Sequence, residues 1–224
     1  MTRRLILTKD NSHTLFVPDL NETFHSTHGA IQESRHVFIE AGFNHIASRL
    51  DRINVLEVGF GTGLNALLTQ IEAETLGKTV QYTAIEAYPL ESEIWSQLNY
   101  PHLLCSIDYS SVFERIHLAG WDESEEISSL FSLHKIHQKL GDYAFPASQF
   151  DLVYFDAFSP AVQPELWTTG IFRKLYSAMK PEGVLTTYSV KGDVIRAMRS
   201  AGFSVEKIPG PPGKRQIARA RKQV

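Results

Sequence analysis

Two hydrophobic rhythms alternate along this chain. At residues 53–59, "INVLEVG", apolar and β-branched residues run almost unbroken, which predicts a buried strand. Directly after it, Leu64, Leu67, Leu68 and Ile71 recur at helical spacing, and Gly77 marks the helix end. The exchange then repeats. "VQYTAIE" (80–86) predicts a second strand, residues 90–118 a mostly helical stretch, and "FDLVYFDAF" (150–158) a third strand. "PELWTTGIFRKLYSAMK" (164–180) predicts a helix with proline in its first turn. "GVLTTYS" (183–189) predicts a strand, and "GDVIRAMRSAGF" (192–203) a helix closed by Gly202. "FSVEKI" (203–208) and "RQIARAR" (215–221), joined by Pro-Gly-Pro-Pro-Gly-Lys, predict an antiparallel pair.

Two stretches are less regular. Near the start, "RLIL" and "HTLFV" flank Lys-Asp-Asn-Ser, a turn-forming set, and residues 31–48 suggest one or two helices interrupted near Gly42. Residues 121–140 fit both rhythms. Leu133, Ile136 and Leu140 have helical spacing, while Ile136, Gln138 and Leu140 alternate. A strand is preferred, because it puts Gly141 and Asp142 at a strand's carboxyl end. The expected fold is α/β and Rossmann-like, with a mostly parallel sheet and one C-terminal antiparallel strand over residues 51–224. Residues 1–50 are expected as a small N-terminal extension, a β-hairpin and helix packed on it.

Composition narrows the class only a little. The 224 residues are 43% hydrophobic and 21% charged, which is globular. Net charge is −3, so any nucleic-acid surface has to be a local basic patch. The single Cys105 excludes an intramolecular disulfide and argues against a thiolate zinc site. His134 and His137 lack a third ligand, so no metal is expected. "MTRRLILTKDNS" is too short in apolar run for a signal peptide, and a cytoplasmic protein with no membrane partner is expected.

The chemistry centres on "LEVGFGTGLNALL". A strand runs into Gly59, Gly61 and Gly63, and a helix follows. Glycines permit positive φ and close backbone approach, and the helix start offers free N–H groups. Two cofactors fit this turn. Gly61-Thr-Gly63-Leu-Asn-Ala66 satisfies a dinucleotide fingerprint, and Glu86 could hold a ribose, so an NAD-dependent oxidoreductase stays open. Glu57, two residues before the first glycine, disfavours a pyrophosphate and suits a cation such as S-adenosylmethionine.

The pattern E-x-G-x-G-x-G resembles motif I of class I S-adenosylmethionine-dependent methyltransferases. "ESRHVF", "EVGFGTGLN", "IEAYPL", "GD", "FDAFSP" with "PELWT", and "GKRQ" resemble a narrower family. Its members complete 5-methylaminomethyl-2-thiouridine at the tRNA wobble position, often with a flavin oxidoreductase domain fused to the methyltransferase. Nothing in these 224 residues corresponds to that second domain, so methyl transfer alone is expected. The resemblance implies S-adenosylmethionine as cofactor and tRNA as partner, with upstream enzymes supplying the aminomethyl group.

The resemblance also implies roles for individual residues. Glu57, Gly59, Gly61, Gly63, Asn65, Glu86, Gly141 and Asp142 are expected at the cofactor. Asp156 is the expected catalytic residue, orienting an amine and stabilising its developing charge. Glu33, Arg35, Phe158, Pro160, Lys191, Lys214 and Arg215 are expected at the substrate. Phe158 suits either stacking on an RNA base or packing, whereas Phe155 is expected in the core. Methyl transfer to another amine or tRNA base remains an alternative.

Overall fold

In the computed structural model, residues 2–104 and 108–223 are described; Cys105 lies outside them. The chain opens with strands β1 (Arg4–Leu7), β2 (His13–Val17) and β3 (Glu22–Thr23), an antiparallel three-stranded sheet. The hairpin matches expectation. The third strand is two residues long, too short to show a period.

Helix α1 (Ala30–Ser34) then runs through a π-helical segment, Arg35–Phe43, into α2 (Asn44–Ala47). Gly42 does not interrupt this run, contrary to expectation. A Cβ there would lie 3.2–3.3 Å from the side chains of Thr186, Tyr154 and Leu152. The glycine lets the helix close down on the sheet.

The main sheet has eight strands. They are β4 (Arg52–Val58), β5 (Thr79–Glu86), β6 (Ser124–Ser128), β7 (Phe131–His137), β8 (Phe150–Phe155), β9 (Met179–Thr187), β10 (Phe203–Pro209) and β11 (Gln216–Lys222). Their spatial order is β10-β11-β9-β8-β4-β5-β7-β6. β9, β8, β4, β5 and β7 run parallel. β11 inserts antiparallel between β9 and β10, as the terminal hairpin predicted. The ambiguous stretch resolves as strands. β6 pairs antiparallel with β7, adding a second antiparallel edge that the sequence did not reveal.

Helices fill the crossovers. α3 (Leu64–Leu76) starts from Gly63 and ends on Gly77. Among the described residues, the stretch read as mostly helical is three short pieces, α4 (Ser92–Trp95), α5 (Tyr100–Leu103) and α6 (Ser110–Leu118). The single helix expected over 164–180 is split. A 3-10 turn, Pro164–Trp167, precedes α7 (Thr169–Ala178), and extended Thr168 caps α7 by accepting the Ile171 N–H. β9 begins at Met179, before Gly183, and α8 (Gly192–Ser200) follows it.

Strand alternation separates two cores. Ile53, Val55, Tyr82, Leu133 and Tyr154 face the helices α1 to α3 and α6. Leu56, Val58, Ile85, Val153 and Phe155 face α7 and α8. The first core takes in Val37, Phe38, Phe43 and Ile46 from the N-terminal segment, so this segment shares the sheet's own core. Phe155 lies in the second core against Trp167 and Phe172, the packing role expected for it. Among the described residues, no helix is long and apolar enough to cross a membrane.

Candidate active site

The parallel strands end together at one rim, and a cavity of about 680 Å³ opens there. Each strand end supplies part of its wall: Gly59 after β4, Glu86 at the end of β5, Gly141 and Asp142 after β7, Asp156 after β8, Tyr188 after β9. β4 lies between β8 and β5, where successive crossovers diverge, which is where open α/β sheets bind ligands.

The glycine turn shapes the floor. Gly59 has φ +88°, and a Cβ on it would sit 2.7 Å from the Asp156 carbonyl oxygen. Only glycine lets the ends of β4 and β8 approach this closely. Gly63, in the left-handed region at φ 71°, starts α3 but does not line the cavity; it lies behind the turn against His117. Glu86 accepts the Gly61 N–H at 3.1 Å and the Tyr88 N–H at 2.8 Å, so its carboxylate is pinned at the cavity wall. Lys174 donates to the Leu140, Gly141 and Tyr143 carbonyls and so fixes the loop that carries Asp142.

Asp156 stands opposite the turn. Its carboxylate Oδ2 accepts from Asn65 Nδ2 at 2.9 Å. The same Nδ2 donates to Glu57 Oε1 at 2.9 Å. Burial pushes the Asp156 carboxyl up to about 7, and the nearby Glu33 carboxylate adds to this. Asn65 and Lys214 pull the other way. Glu57 is a correction: it is fully buried and does not line the cavity. Residues 53, 55 and 57 share one strand face, so the Glu57 side chain points under α3 and reaches the cavity only through Asn65.

The loop after β8 is held from several sides. Tyr188 donates its hydroxyl to the Ala157 carbonyl at 2.8 Å, and Trp167 Nε1 donates to the Phe158 carbonyl at 2.8 Å. The second bond explains why a tryptophan follows "FDAFSP" at this distance. Phe158 lines the cavity, edge-to-face with Phe24 at 5.1 Å. Ser159 donates to Glu22 of β3. Pro160 lies outside the cavity wall, because the chain turns away after Ser159.

The far wall joins the two ends of the chain. Glu33 accepts the Ser26 N–H at 2.7 Å and forms an ion pair with Lys214, whose Nζ sits 4.0 Å above the Tyr188 ring. Arg35 is not with them. Its Nη2 donates to the Leu104 carbonyl at 3.3 Å, away from the cleft, because it lies where the π-helical winding begins. Lys191, at the cap of α8, and Arg215, one residue beyond Lys214, are exposed and do not line the cavity.

Sequence reasoning missed Phe24, His25, Gln163 and Tyr188, which all line the cavity. His25 is buried, and its imidazole is pushed down to about 4 by desolvation, so it is neutral. Phe24 meets Phe158 across a long sequence separation, while Gln163 accepts the Phe158 N–H within its own loop. Among the described residues, no group of three histidine, cysteine or acidic side chains is placed to hold a metal ion.

Residues 123–223 match a family described as S-adenosyl-L-methionine-dependent methyltransferase. Over 219 residues the chain is 30% identical to the tRNA 5-methylaminomethyl-2-thiouridine biosynthesis bifunctional protein MnmC of Pseudomonas fluorescens, covering 89% of this chain and 32% of that protein. The protein of the same name from Azoarcus is 32% identical over 228 residues, with 89% and 33% covered. The chain thus spans about a third of the length of these curated relatives. A crystal structure of MnmC2 from Aquifex aeolicus superposes with a TM-score of 0.80 at 24% identity, covering 98% of this chain and 69% of that one. Residues 123–223 thus carry the sequence signature of a family described as S-adenosyl-L-methionine-dependent methyltransferase, and the chain shares the fold of the Aquifex structure.

Proposed function

We propose that this protein transfers a methyl group to the aminomethyl nitrogen of a modified wobble uridine in tRNA. The observation that carries the reading is Asp156, a carboxylate on the wall of a cleft whose floor is the glycine turn, with its acidity weakened by burial. The name of the MnmC relatives supplies the substrate class.

The cleft fits the cofactor. Its volume lies in the range of small-ligand sites. Gly59 and Gly61 offer backbone without side chains, and Glu86 and Asp142 present carboxylates to hydroxyl and amino groups. Asn65 has a buried Oδ1 with no protein partner, free to accept from a ligand. S-adenosylmethionine, when bound, supplies an electrophilic methyl group on a sulfonium.

The protein's own part is positioning and proton handling. The acceptor is a primary amine, mostly protonated at neutral pH, with an ordinary value near that of lysine, about 10. It must shed a proton before nitrogen can bond to carbon. An ordinary aspartate, near 3.9, is a poor acceptor for that proton. At about 7, Asp156 is much better matched and still ionises at physiological pH. Its charge also steadies the positive nitrogen that forms. Phe158 and Phe24 exclude water beside it, and Phe158 presents a ring face for the uracil. Lys191, Lys214 and Arg215 are proposed phosphate contacts around the mouth. Residues 1–50 act as a wall of the site more than as a separate domain. A different reaction must install the aminomethyl group first, and a cytoplasmic location follows from a tRNA substrate.

Nucleoside mass spectrometry tests this reading. Aminomethyl-uridine tRNA, incubated with protein and methyl donor, gains one methyl group on the modified nucleoside. No gain removes the tRNA assignment.

A further inference from the structure

Glu57 sits on the strand before a glycine turn, where a carboxylate is expected to attract the cofactor's cationic groups. Its surroundings say otherwise. The residue has no exposed surface and lies outside the cavity wall. Its carboxyl accepts from uncharged groups, Asn65 Nδ2 at 2.9 Å with the Tyr82 hydroxyl of β5 as a further neutral donor. An ionised carboxylate buried with so little compensation is strongly disfavoured.

Asn65 is built as a bridge. It is 3% exposed, and one nitrogen donates to two carboxyl groups, Glu57 Oε1 and Asp156 Oδ2, each at 2.9 Å. A flipped amide would set Oδ1 against both acceptors, so Glu57 selects the orientation that Asp156 needs. The three residues meet because of strand parity. Glu57 lies on the β4 face under α3, residue 156 continues the Tyr154 side of β8 beneath the same helix, and Asn65 is in the first turn of α3.

We infer that Glu57 and Asn65 are positioning residues for Asp156. Glu57 acts as an uncharged acid whose carbonyl oxygen locks the Asn65 amide, and it is not a counter-ion for the cofactor. This inference rests on the methyltransferase reading for its purpose, but its geometry stands without it.

Electrostatics agree with the arrangement. Burial drives the Glu57 carboxyl well above the usual range, and Asp156 and Glu86 push it the same way. Tyr82 from β5 and Asn65 oppose this only in part. The groups acting on Asp156 are Glu33 from α1, which raises it, and Asn65 from α3 and Lys214 from the β10–β11 turn, which lower it. Tyr188 after β9 is uncharged, its hydroxyl held far above its ordinary value by burial.

The test follows Asp156 directly, by carbon NMR of the full chain carrying labelled aspartate carboxyls, with Asp156→Asn for assignment. In the wild-type protein the midpoint is expected near 7. Asn65→Leu removes the bond that favours the anion, so the midpoint rises by about one pH unit. Glu57→Gln keeps an acceptor oxygen and leaves the midpoint within a few tenths of a unit. Glu57→Leu frees the amide and moves the midpoint upward. Calorimetry with S-adenosylhomocysteine, which keeps the α-ammonium of the amino-acid moiety, provides the second arm. Glu57→Gln is expected to change its affinity less than threefold.

Two results overturn the inference. One is an Asp156 midpoint that falls by a unit in Glu57→Gln, which would mean that Glu57 is anionic. The other is a loss of S-adenosylhomocysteine affinity of tenfold or more in that variant. If Asn65→Leu does not fold, the Glu57→Gln and Glu57→Leu pair still decides. The NMR readout needs no tRNA, so failure of the proposed reaction and failure of this inference are separate outcomes.

Discussion

The two walls of the cleft are built in different ways. The wall under the glycine turn is local: β4, the turn, α3 and β5 all lie within residues 52–86. The opposite wall is stitched from remote pieces. Ser159 reaches Glu22 and Lys214 reaches Glu33, 137 and 181 residues away in sequence. One backbone path sets the first wall, so a single added atom can ruin it. Many modest polar contacts set the second, and each is worth on the order of 1 kcal/mol. The first wall should therefore fail all at once and the second by degrees.

The largest expected effect falls where the walls meet. Asp156→Ala lowers turnover about a thousandfold while S-adenosylhomocysteine affinity stays within about threefold. A turnover loss under tenfold would make Asp156 structural. Turnover of the wild-type protein rises with pH through about 7, as Asp156 ionises. A flat profile across that range would contradict a base at this position.

Gly59→Ala should break the local wall outright. Its φ of +88° and the 2.7 Å approach to the Asp156 carbonyl leave no room for a methyl group. Strain of this kind costs about 1–3 kcal/mol, so both melting temperature and cofactor affinity should fall. Loss of affinity without loss of stability would locate the damage in the ligand's path alone.

Asp156→Asn sharpens the comparison through stability. The carboxyl ordinarily titrates at 3.8 and here at about 7. Between these values the unfolded chain is ionised while the folded protein keeps its proton. Stability therefore falls as pH rises through that window and stays reduced above it. The asparagine variant escapes this and should be more stable above neutral pH by about 4 kcal/mol, with little difference at about pH 3. Denaturant titrations at the two pH values check the sign.

The remote wall should respond least. Glu33→Gln or Lys214→Met is expected to raise the tRNA KM about tenfold and to leave S-adenosylhomocysteine affinity nearly unchanged. Equal losses for both ligands would show that the walls are not separable.

This contrast also explains what the sequence disclosed. The glycine turn, Glu86, Asp142 and Asp156 were readable because strand ends and helix starts are local events. Glu57 was misjudged although its signal was present. Counting alternate residues from Ile53 places it on the helix-covered face. "LHKIHQKL" satisfied both rhythms, and pairing with β5 on one side and β6 on the other makes residues 131–137 a strand. Arg35 misled because a π-helical run changes which residues share a face. Phe24 could not be found by a local rule, since its ring partner Phe158 comes from another part of the fold, whereas Tyr188, directly after β9, sits at a strand end like the acids.

The insertion of β11 between β9 and β10 has a consequence for biosynthesis. β10 is made before β11 yet joins the sheet only through it. As the chain leaves the ribosome, residues 203–209 emerge with no strand to pair with until residues 216–222 follow. Lys214 lies in the turn between them. The glycine turn is thus synthesised well before the hairpin that carries Lys214 can close onto Glu33, so the remote wall of the cleft is the last part of the site to be completed.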